Sequence, residues 1–260
     1  MKMGSTFSLY WAGLIRLLIL ALFFQSPNAS ALVGVSSDGE ELSSSIVMVL
    51  KSTKGRASFC SAVVVDKNII LTAAHCVGEP DQLIVLLRRK HLPDQFLQVS
   101  AIKTHPLYNE RSISNRRLSI DLALLRLITP AHITLSPLEI KFDYQPRKES
   151  HLMIAGFGQT NEKDPKSEGY LRQAELLVRE PLSDILIWAD GGPKTMKGAC
   201  SGDSGGPIFD HTSSHIIAIT AWASGAQKTK CGTLTQGILL KPHVNWIRTS
   251  LEALKRPSAD

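Results

Sequence analysis

Short apolar runs recur along most of the chain, and turn-forming residues separate them. The segment 66–68 (Asp-Lys-Asn), for example, divides two runs that are rich in valine, isoleucine and leucine. Short β-branched runs with turns between them are typical of strands. We therefore predict an all-β protein, a sandwich or a barrel, whose strands include residues 46–50, 62–65, 69–71, 83–87, 122–127, 151–155, 174–178 and 215–222.

A different pattern follows Pro242, where apolar residues recur at helical spacing. These residues are Val244, Ile247, Leu251 and Leu254. A proline close to the first helical turn is a start signal. We predict an amphipathic helix that closes the β protein, and a frayed tail at residues 256–260.

Residues 130–150, which include Pro137 and Pro146, form the predicted crossing between two halves of the protein. We expect the first half to span about residues 32–140, and the second half with its helix about residues 150–255. A chain of this length can bury a sizeable core in one domain or in two packed halves.

Residues 1–31 have the organisation of a secretory signal peptide. Lys2 precedes an apolar run from Leu14 to Phe24, and the small residues 29–31 (Ala-Ser-Ala) follow it. The run is too short to span a bilayer, and no second run of this kind follows. We expect this segment to be removed on export, which leaves a secreted or periplasmic protein without a membrane anchor.

Composition and charge exclude several classes of protein. With 43% hydrophobic and 20% charged residues, the chain is neither disordered nor a coiled coil. Removal of Lys2 and Arg16 with the signal peptide lowers the formal charge from +6 to +4. This mild excess and the 6% aromatic content indicate solvated lysines and arginines rather than a nucleic-acid surface.

The four cysteines, at positions 60, 76, 200 and 231, are an even number in a chain with an export signal. This favours disulfides over thiol chemistry, and the count alone leaves three pairings open. The spacing contains no CxxC pair, so a zinc ribbon or a thioredoxin motif is excluded.

Three stretches contain residue types suited to nucleophilic catalysis. They are residues 71–76 (LTAAHC), 119–125 (SIDLALL) and 200–207 (CSGDSGGP). A serine hydroxyl is a weak nucleophile until a base takes its proton, and a histidine base works best when a third group fixes its tautomer. The candidate residues are His75, Asp121 and Ser204.

Each candidate also has a simpler interpretation. His75 alone suits a core histidine, and Ser204 alone suits a surface loop. Asp121 lies in an apolar run, where an unpaired carboxylate would cost several kcal/mol, so it needs a donor from Arg126, Arg117 or an imidazole N–H. The glycines at 202, 205 and 206 favour the catalytic interpretation of the serine turn, because they let backbone N–H groups converge on a small anion.

Together the three motifs resemble the trypsin/chymotrypsin family of serine endopeptidases. The order His, Asp, Ser separates this family from subtilisins and α/β-hydrolases. The resemblance extends to residues 104–109 (THPLYN), 221–223 (AWA) and 244–247 (VNWI). It implies two antiparallel β-barrels packed face to face, with a C-terminal helix and with the site in the cleft between the barrels.

The resemblance also implies the role of each residue. His75 would act as general base and then general acid, and Asp121 would orient it while Ser204 attacks the substrate. The N–H groups of Gly202 and Ser204 would form the oxyanion hole. The family suggests the disulfides Cys60–Cys76 and Cys200–Cys231, and it requires no metal or organic cofactor.

Family members need a free N-terminal amine that inserts and pairs with the aspartate before the nucleophile, here Asp203. Signal-peptide cleavage after Ala31 would create the N-terminus Leu32-Val33-Gly34-Val35, which resembles the usual Ile-Val-Gly-Gly. We therefore expect export itself to activate the enzyme through a pair between Leu32 and Asp203. The alternative is that Leu32 only begins a loose strand and that cleavage occurs elsewhere.

The residue six positions before the nucleophile forms the floor of the primary pocket in the family, and here it is Gly198. Trypsin-like enzymes have aspartate there, so we expect a preference for small to medium apolar residues rather than Lys or Arg. Ala223 replaces a glycine and narrows the entrance, whereas Gly237 keeps the other wall open. The remaining residues implied for the pocket are Ala199, Ala221 and Trp222.

One alternative for the pocket and two further differences from the family pattern follow from the sequence. Lys228 and Lys230 lie before the last cysteine, and if they reach the pocket the preference becomes acidic. Ala221 replaces a serine that bonds the buried aspartate in many relatives, which would lower activity. Ser61 and Ala62 replace a glycine pair, which is a milder change.

Two other functions remain as alternatives. A catalytically inert relative would use the same barrels only to bind a partner, and a nucleic-acid or membrane-surface protein would rest on the basic charge alone. We expect a monomer whose partners are protein or peptide substrates, with a protein inhibitor as a further candidate partner.

Overall fold

The computed structural model describes residues 37–53, 55–111, 119–192, 195, 197–211, 215–226 and 229–256. The expected signal peptide (1–31), Leu32, Lys228 and residues 257–260 of the tail lie outside these ranges. The described residues form thirteen β-strands, several short 3₁₀ turns and one α-helix. The prediction of an all-β fold is confirmed.

Six strands of the first half close into an antiparallel barrel, in the order β2-β3-β4-β7-β6-β5. Each neighbouring pair runs antiparallel, and β2 pairs with β3 along the whole length of β2. The strands are β2 (Ile46–Thr53), β3 (Arg56–Asp66), β4 (Ile69–Thr72), β5 (Leu83–Leu87), β6 (Gln95–Thr104) and β7 (Ala123–Ile128).

The second half repeats this architecture, with the strand order β9-β10-β13-β12-β11-β8 and a pairing of β8 with β9 that closes the barrel. A short strand, β1 (Ser37–Asp38), pairs antiparallel with the first two residues of β9, Arg172 and Gln173. The barrel strands are β8 (His151–Gly156), β9 (Arg172–Arg179), β10 (Leu186–Asp190), β11 (Pro207–Asp210), β12 (Ile216–Ser224) and β13 (Leu234–Leu239).

Strand β2 shows how the sequence positions the two barrels. Val47 and Val49 face the interior of the first barrel, whereas Ile46 and Met48 belong to a cluster shared by both barrels. Successive side chains of a strand point to opposite faces, so a continuous apolar run indicates a strand buried on both sides. The shared cluster also contains Phe157 of the second half, so it holds the two barrels face to face.

The helix α1 (Val244–Lys255) follows a 3₁₀ turn at Lys241–His243 that contains Pro242. Ile247 and Leu254 are buried against the cluster between the barrels. The predicted helix is therefore confirmed. Within the described ranges, no helix is long and apolar enough to cross a membrane.

The predicted runs all lie in strands of the structure, apart from Leu122 and His215 at the edges of their runs. The strands β1, β6, β10, β11 and β13 were not predicted. In β6 and β13, glutamines interrupt the apolar pattern, and β11 is a four-residue strand directly after two glycines. Their pairing with predicted strands places them in the barrels, although their own sequences are weak strand signals.

Candidate active site

The loop that carries His75 leaves β4 and forms a 3₁₀ turn at Ala74–Cys76. The disulfide Cys60–Cys76 joins this turn to β3, with an Sγ–Sγ distance of 2.03 Å. Lys51 Nζ donates to the carbonyl oxygens of His75 (3.2 Å) and Val77 (2.9 Å). The loop is thus fixed from both sides, while the imidazole stays 39% exposed.

Asp121 directs its carboxylate at His75 through two hydrogen bonds. Oδ1 accepts from the backbone N–H of His75 (2.8 Å), and Oδ2 lies 2.6 Å from Nδ1. An ionised carboxylate can only accept, so Nδ1 carries the proton and Nε2 is left as the basic nitrogen. Arg126 instead donates to Ser100 Oγ and to the carbonyl oxygen of Arg256, and Arg117 lies outside the described residues.

Ser204 lies on a tight turn that packs against the first barrel. Its carbonyl oxygen accepts from the N–H of Ser61, on β3, at 2.8 Å. Gly205 has φ +81°, and a Cβ there would overlap the Thr72 hydroxyl and the Ser61 carbonyl oxygen. Glycine is therefore required for the turn to approach β3 and β4, the strand that leads to the histidine loop.

The N–H groups of this turn differ in their partners. Those of Asp203, Gly205 and Gly206 donate to carbonyl oxygens at 2.7–3.1 Å. Those of Gly202 and Ser204 donate to no group among the described residues. Two N–H groups without an internal acceptor beside a serine can bind an oxyanion if they point to the same place, which is the role that the family resemblance gives them.

The second ring nitrogen of His75 lies near the Cys60–Cys76 disulfide. Nε2 is 3.6 Å from Cys76 Sγ, and within the described ranges no hydrogen bond joins it to Ser204 Oγ. The structure therefore brings His75 and Asp121 into direct contact. Ser204 lies on a turn that packs against β3 and β4, without a hydrogen bond to His75 among the described residues.

Asp203 is a buried carboxylate whose hydrogen-bond donors, within the part of the chain that the structure describes, are backbone N–H groups. Oδ2 accepts from the N–H of Cys200 (2.9 Å) and Oδ1 from the N–H of Gly158 (2.8 Å). Burial raises the pKa of Asp203 to about 7, although the two N–H donors oppose this effect. No ion pair involves Asp203 among the described residues, and Leu32, its expected partner, is outside them.

Three residues expected in the substrate pocket meet around Thr235 of β13. The N–H of Ala199 donates to Thr235 Oγ1 at 2.8 Å. A Cβ at Gly198 would lie 3.1 Å from the same oxygen, and Ala223 pairs with Thr235 in the sheet. The backbone of Gly198 thus packs against β13, where a larger residue would displace the threonine.

Ala221 and Trp222, which are also expected in the pocket, lie on β12, and the tryptophan is 47% exposed. Gly237 pairs with Thr220, and a Cβ there would lie 2.5 Å from Ile208 Cδ1 in the barrel core. A side chain at 237 would therefore have to displace the buried Ile208, and the role of Gly237 as an open pocket wall stays a prediction. Lys230 is exposed.

The sequence analysis missed a carboxylate that contacts the second disulfide. Glu162 Oε1 accepts from the N–H groups of Lys230 (2.5 Å) and Cys231. Cys231 is bonded to Cys200, four residues before the nucleophile. The loop that contains Glu162 is also fixed by the N–H of Gln159, which donates to the Ser201 carbonyl oxygen at 2.9 Å.

Ser61 was considered only as a minor departure, yet it is fully buried between the barrels. Its hydroxyl donates to the carbonyl oxygen of Gly202 (2.9 Å) and accepts from the N–H of Phe157 (3.0 Å). A serine within an apolar strand gives little sequence signal of this kind, because most serines are surface residues.

Two groups of potential metal ligands lie near the site, but each includes both sulfurs of a disulfide. They are Cys60 and Cys76 with His75, and Cys200 and Cys231 with Glu162. Metal binding by cysteine requires the thiolate, so neither group is a metal site. A cavity of about 500 Å³ lies elsewhere, between residues 88–94 and 170–172, and its Arg88–Asp94 and Lys90–Asp38 pairs satisfy much of its charge.

Comparison with known proteins adds independent support for the motifs. The family model for trypsin matches residues 34–247. Vitamin K-dependent protein C of Oryctolagus cuniculus is 28% identical over 79% of this chain and 49% of its own length. Chymase of Rattus norvegicus is 30% identical over 58% of this chain and 65% of its own length. Duodenase-1 of Bos taurus is 25% identical over 75% of this chain and 81% of its own length.

The chain thus spans about half of the first of these relatives and about two thirds of the second. The matched region of the family model contains every residue expected in the active site, the pocket and the disulfides, and leaves out Leu32.

Proposed function

Because the chain belongs to the trypsin family, we propose that it is a serine endopeptidase in which Ser204, His75 and Asp121 form the catalytic triad. The observation that supports this most directly is the pair of hydrogen bonds from His75 to Asp121, at 2.8 and 2.6 Å. A carboxylate that accepts from both the backbone and the ring fixes the tautomer and the orientation of the imidazole.

In the proposed reaction, His75 Nε2 takes the proton of Ser204 Oγ while the oxygen attacks the scissile carbonyl carbon. The open N–H groups of Gly202 and Ser204 stabilise the resulting oxyanion, and each such donor contributes roughly 2.7–4 kcal/mol. His75 then gives its proton to the leaving amine, which leaves an acyl-enzyme. A water molecule, deprotonated by His75, hydrolyses the ester and restores the serine.

The reaction requires a contact between His75 and Ser204 that is open in this structure. We propose that the ring moves from the Cys76 sulfur towards the serine when substrate binds. Catalytic hydrogen bonds are often long in substrate-free enzymes and tighten in the Michaelis complex. The exposure of the imidazole, 39%, leaves room for this movement.

We propose that the mature peptidase domain covers about residues 32–255 and that it is secreted or periplasmic, acting as a monomer on protein or peptide substrates. Protein inhibitors of the cleft are a further partner class. Signal-peptide cleavage would release the amine of Leu32, which would pair with Asp203. The buried carboxylate without a cationic partner among the described residues supports this role, because such a group favours binding of a positive charge.

N-terminal sequencing of the secreted, active protein tests the activation step. We expect the sequence to start at Leu32. An active preparation that starts at any other residue would exclude this form of activation and leave the triad proposal intact.

For the primary pocket, we propose a preference for small to medium apolar side chains. Gly198 provides no carboxylate for Lys or Arg, and Lys230 is exposed. Apolar pockets separate substrates that differ by one methylene by about 1–3 kcal/mol, so the preference is broad. Chromogenic peptides with Ala, Val, Leu, Phe, Glu or Arg before the scissile bond test this. Fastest cleavage after Glu would support the lysine alternative, and fastest cleavage after Arg would contradict both.

Labelling with a fluorophosphonate separates the peptidase from an inert binding relative. We expect covalent labelling of the mature protein and its loss in Ser204→Ala. Ser201→Ala, an exposed serine in the same turn, is the matched control and retains the label. Equal labelling of the native protein and Ser204→Ala, or none of either, would contradict the proposed nucleophile.

A further inference from the structure

Lys51 on β2 reaches across to the loop that carries His75. Its Nζ donates to the carbonyl oxygen of His75 at 3.2 Å and to that of Val77 at 2.9 Å. The last carbonyl groups of a helical turn have no partner within the turn, and a lysine side chain can supply one. The 3₁₀ turn at Ala74–Cys76 ends with this contact, so the ammonium group of Lys51 caps the turn.

The first barrel sets the position of Lys51. Its backbone pairs with Ser58 on β3 and with Leu83 on β5, so it is held on both sides. The side-chain stem lies close to Gly78, where an added Cβ would be in van der Waals contact, 3.9 Å from Lys51 Cδ. The stem therefore follows the backbone of the loop on its way to the two carbonyl oxygens.

The two peptide groups that flank His75 are held by opposite charges. Asp121 Oδ1 accepts from the N–H of His75 at 2.8 Å, and Lys51 Nζ donates to the carbonyl oxygen of the same residue. A peptide group is planar, so fixing the groups before and after a residue fixes both of its backbone dihedral angles. Hydrogen bonds to charged groups are also stronger than those between neutral groups. The Cα from which the imidazole projects is therefore held by one carboxylate and one ammonium group.

We propose that Lys51 is a positioning residue for His75, which holds the backbone of the general base while its ring turns towards Ser204. This inference rests on the proposed peptidase function, and it adds a residue that acts through His75 and not on the reacting atoms. With the backbone fixed, the movement of the imidazole is confined to its side-chain dihedral angles.

Other contacts hold the same turn, and they limit the expected effect. The N–H of Cys76 donates to the carbonyl oxygen of Ala73 at 3.1 Å, and the disulfide with Cys60 joins the turn to β3. Loss of the lysine therefore loosens the turn without releasing it. Since a misplacement of about 1 Å can cost about 10²-fold in rate, we expect a smaller loss, of about tenfold.

Substitution of Lys51 by methionine, which keeps an unbranched stem without the amine, tests the proposal. The measurements on the mature protein are steady-state hydrolysis of a chromogenic peptide and the rate at which a fluorophosphonate labels Ser204. We expect Lys51→Met to lower kcat and the labelling rate about tenfold each and to leave KM within about twofold, because the contact serves the reaction and not the binding of the peptide. Lys51→Arg, which keeps a cationic donor, should recover part of the loss.

Lys67→Met is the matched control. Lys67 is exposed on the turn that precedes β4, whereas the loop with His75 follows the other end of that strand. This variant should keep the native kcat, KM and labelling rate. A thermal melt of each variant establishes that it is folded, and Lys51→Gln, whose side chain is shorter and uncharged, replaces Lys51→Met in the comparison if the melt shows that Lys51→Met is unfolded.

Native kcat and labelling in a folded Lys51→Met would overturn the positioning role. A rise in KM at unchanged kcat would also overturn it, because the lysine would then act in substrate binding. So would equal kcat in Lys51→Met and Lys51→Arg. These outcomes all require an active native protein, whereas a native protein that neither hydrolyses peptides nor takes the label would contradict the peptidase proposal itself.

Discussion

The hydroxyl of Ser61 donates to the carbonyl oxygen of Gly202 across the interface between the two barrels, over 2.9 Å. The same hydroxyl accepts from the N–H of Phe157 at 3.0 Å. One buried side chain of the first barrel therefore contacts both the peptide that precedes the nucleophile turn and the end of β8. This contact fixes the peptide between Gly202 and Asp203, which directly follows the Gly202 N–H that would supply an oxyanion donor.

We predict that Ser61→Ala destabilises the protein and lowers its activity. The change leaves the buried N–H of Phe157 without its partner, which costs about 1–3 kcal/mol in the free energy of unfolding. It also frees the Gly202 peptide, so kcat should fall more than KM rises. Urea unfolding and steady-state kinetics measure the two effects.

Ser58→Ala is the matched control, because Ser58 is exposed on the same strand, β3. Its unfolding free energy should stay within about 0.5 kcal/mol of the native value. If Ser61→Ala behaves like this control, the interbarrel hydroxyl does not position the turn.

Most of the fold could be predicted because its strands are buried on both faces. Such strands read as continuous apolar runs, as in Ile46–Thr53 and Ile69–Thr72, and turn residues separate them. Strand β13 could not be predicted in this way, since Gln236 and Gly237 interrupt it. Only its pairing with β10 and β12 places it in the barrel.

The candidate site likewise has residues that the sequence indicates and contacts that it does not. His75, Asp121 and Ser204 lie in motifs whose residue types suit one chemistry, so the sequence alone indicated them. Glu162 could not be found, because its contact with Cys231 joins residues 69 positions apart and depends on the path of a loop. The absence of a hydrogen bond between His75 Nε2 and Ser204 among the described residues is likewise a property of side-chain orientation, which motifs do not encode.

Glu162 provides a prediction about substrate binding. Its carboxylate fixes the loop 158–168 to the backbone beside the Cys200–Cys231 disulfide. Hydrogen bonds to charged groups contribute about 1.5–3 kcal/mol. We therefore expect Glu162→Ala to raise KM about tenfold or more with little change in kcat, because the residue supports the backbone beside the proposed pocket and does not contact the proposed triad.

Glu162→Gln keeps an acceptor oxygen and should recover part of the affinity. Glu168→Ala is the control on the same loop, where the one partner of the carboxylate among the described residues is the side chain of Gln159. A fall in kcat with unchanged KM in Glu162→Ala would show that the contact acts on the chemical step instead.

His105 and His243 give a prediction about acid stability. Their rings lie 4.8 Å apart under the start of α1, and both side chains are buried. Burial, together with the charge of His105, lowers the pKa of His243 to about 4, and burial lowers that of His105. The unfolded chain therefore binds protons more readily between about pH 6.5 and 4, so the contribution of His243, roughly 3 kcal/mol, is present above pH 6.5 and is lost as the pH falls towards 4.

Replacement of His243 by leucine should remove this pH dependence. The difference in unfolding free energy between His243→Leu and the native protein should shift in favour of the variant as the pH falls from 7 to 4. His132→Leu, at an exposed histidine, should show a smaller shift. A difference that is constant with pH would mean that His243 does not titrate in this range.

Asp203 should have the opposite pH dependence in a chain whose Leu32 amine is blocked. Burial raises its pKa from 3.8 to about 7, so the folded state binds the proton more tightly than the unfolded state. Its contribution is greatest below about pH 4 and is lost as the pH rises to 7, by roughly 4 kcal/mol. In the blocked chain, Asp203→Asn should therefore be stabilising at pH 8 and close to neutral at pH 4.

A chain that starts at Leu32 should reverse this result, because the new amine would pair with the carboxylate and keep it ionised. There Asp203→Asn breaks a buried ion pair, which typically costs about 3–5 kcal/mol, and peptidase activity should be lost with it. Denaturant unfolding of both chains, each in the Ser204→Ala background to prevent self-digestion, measures the stabilities. Peptide hydrolysis by the Asp203→Asn variant that retains Ser204 measures the activity. If Asp203→Asn changes stability equally in both chains, the amine of Leu32 does not reach Asp203, and activation must use another contact.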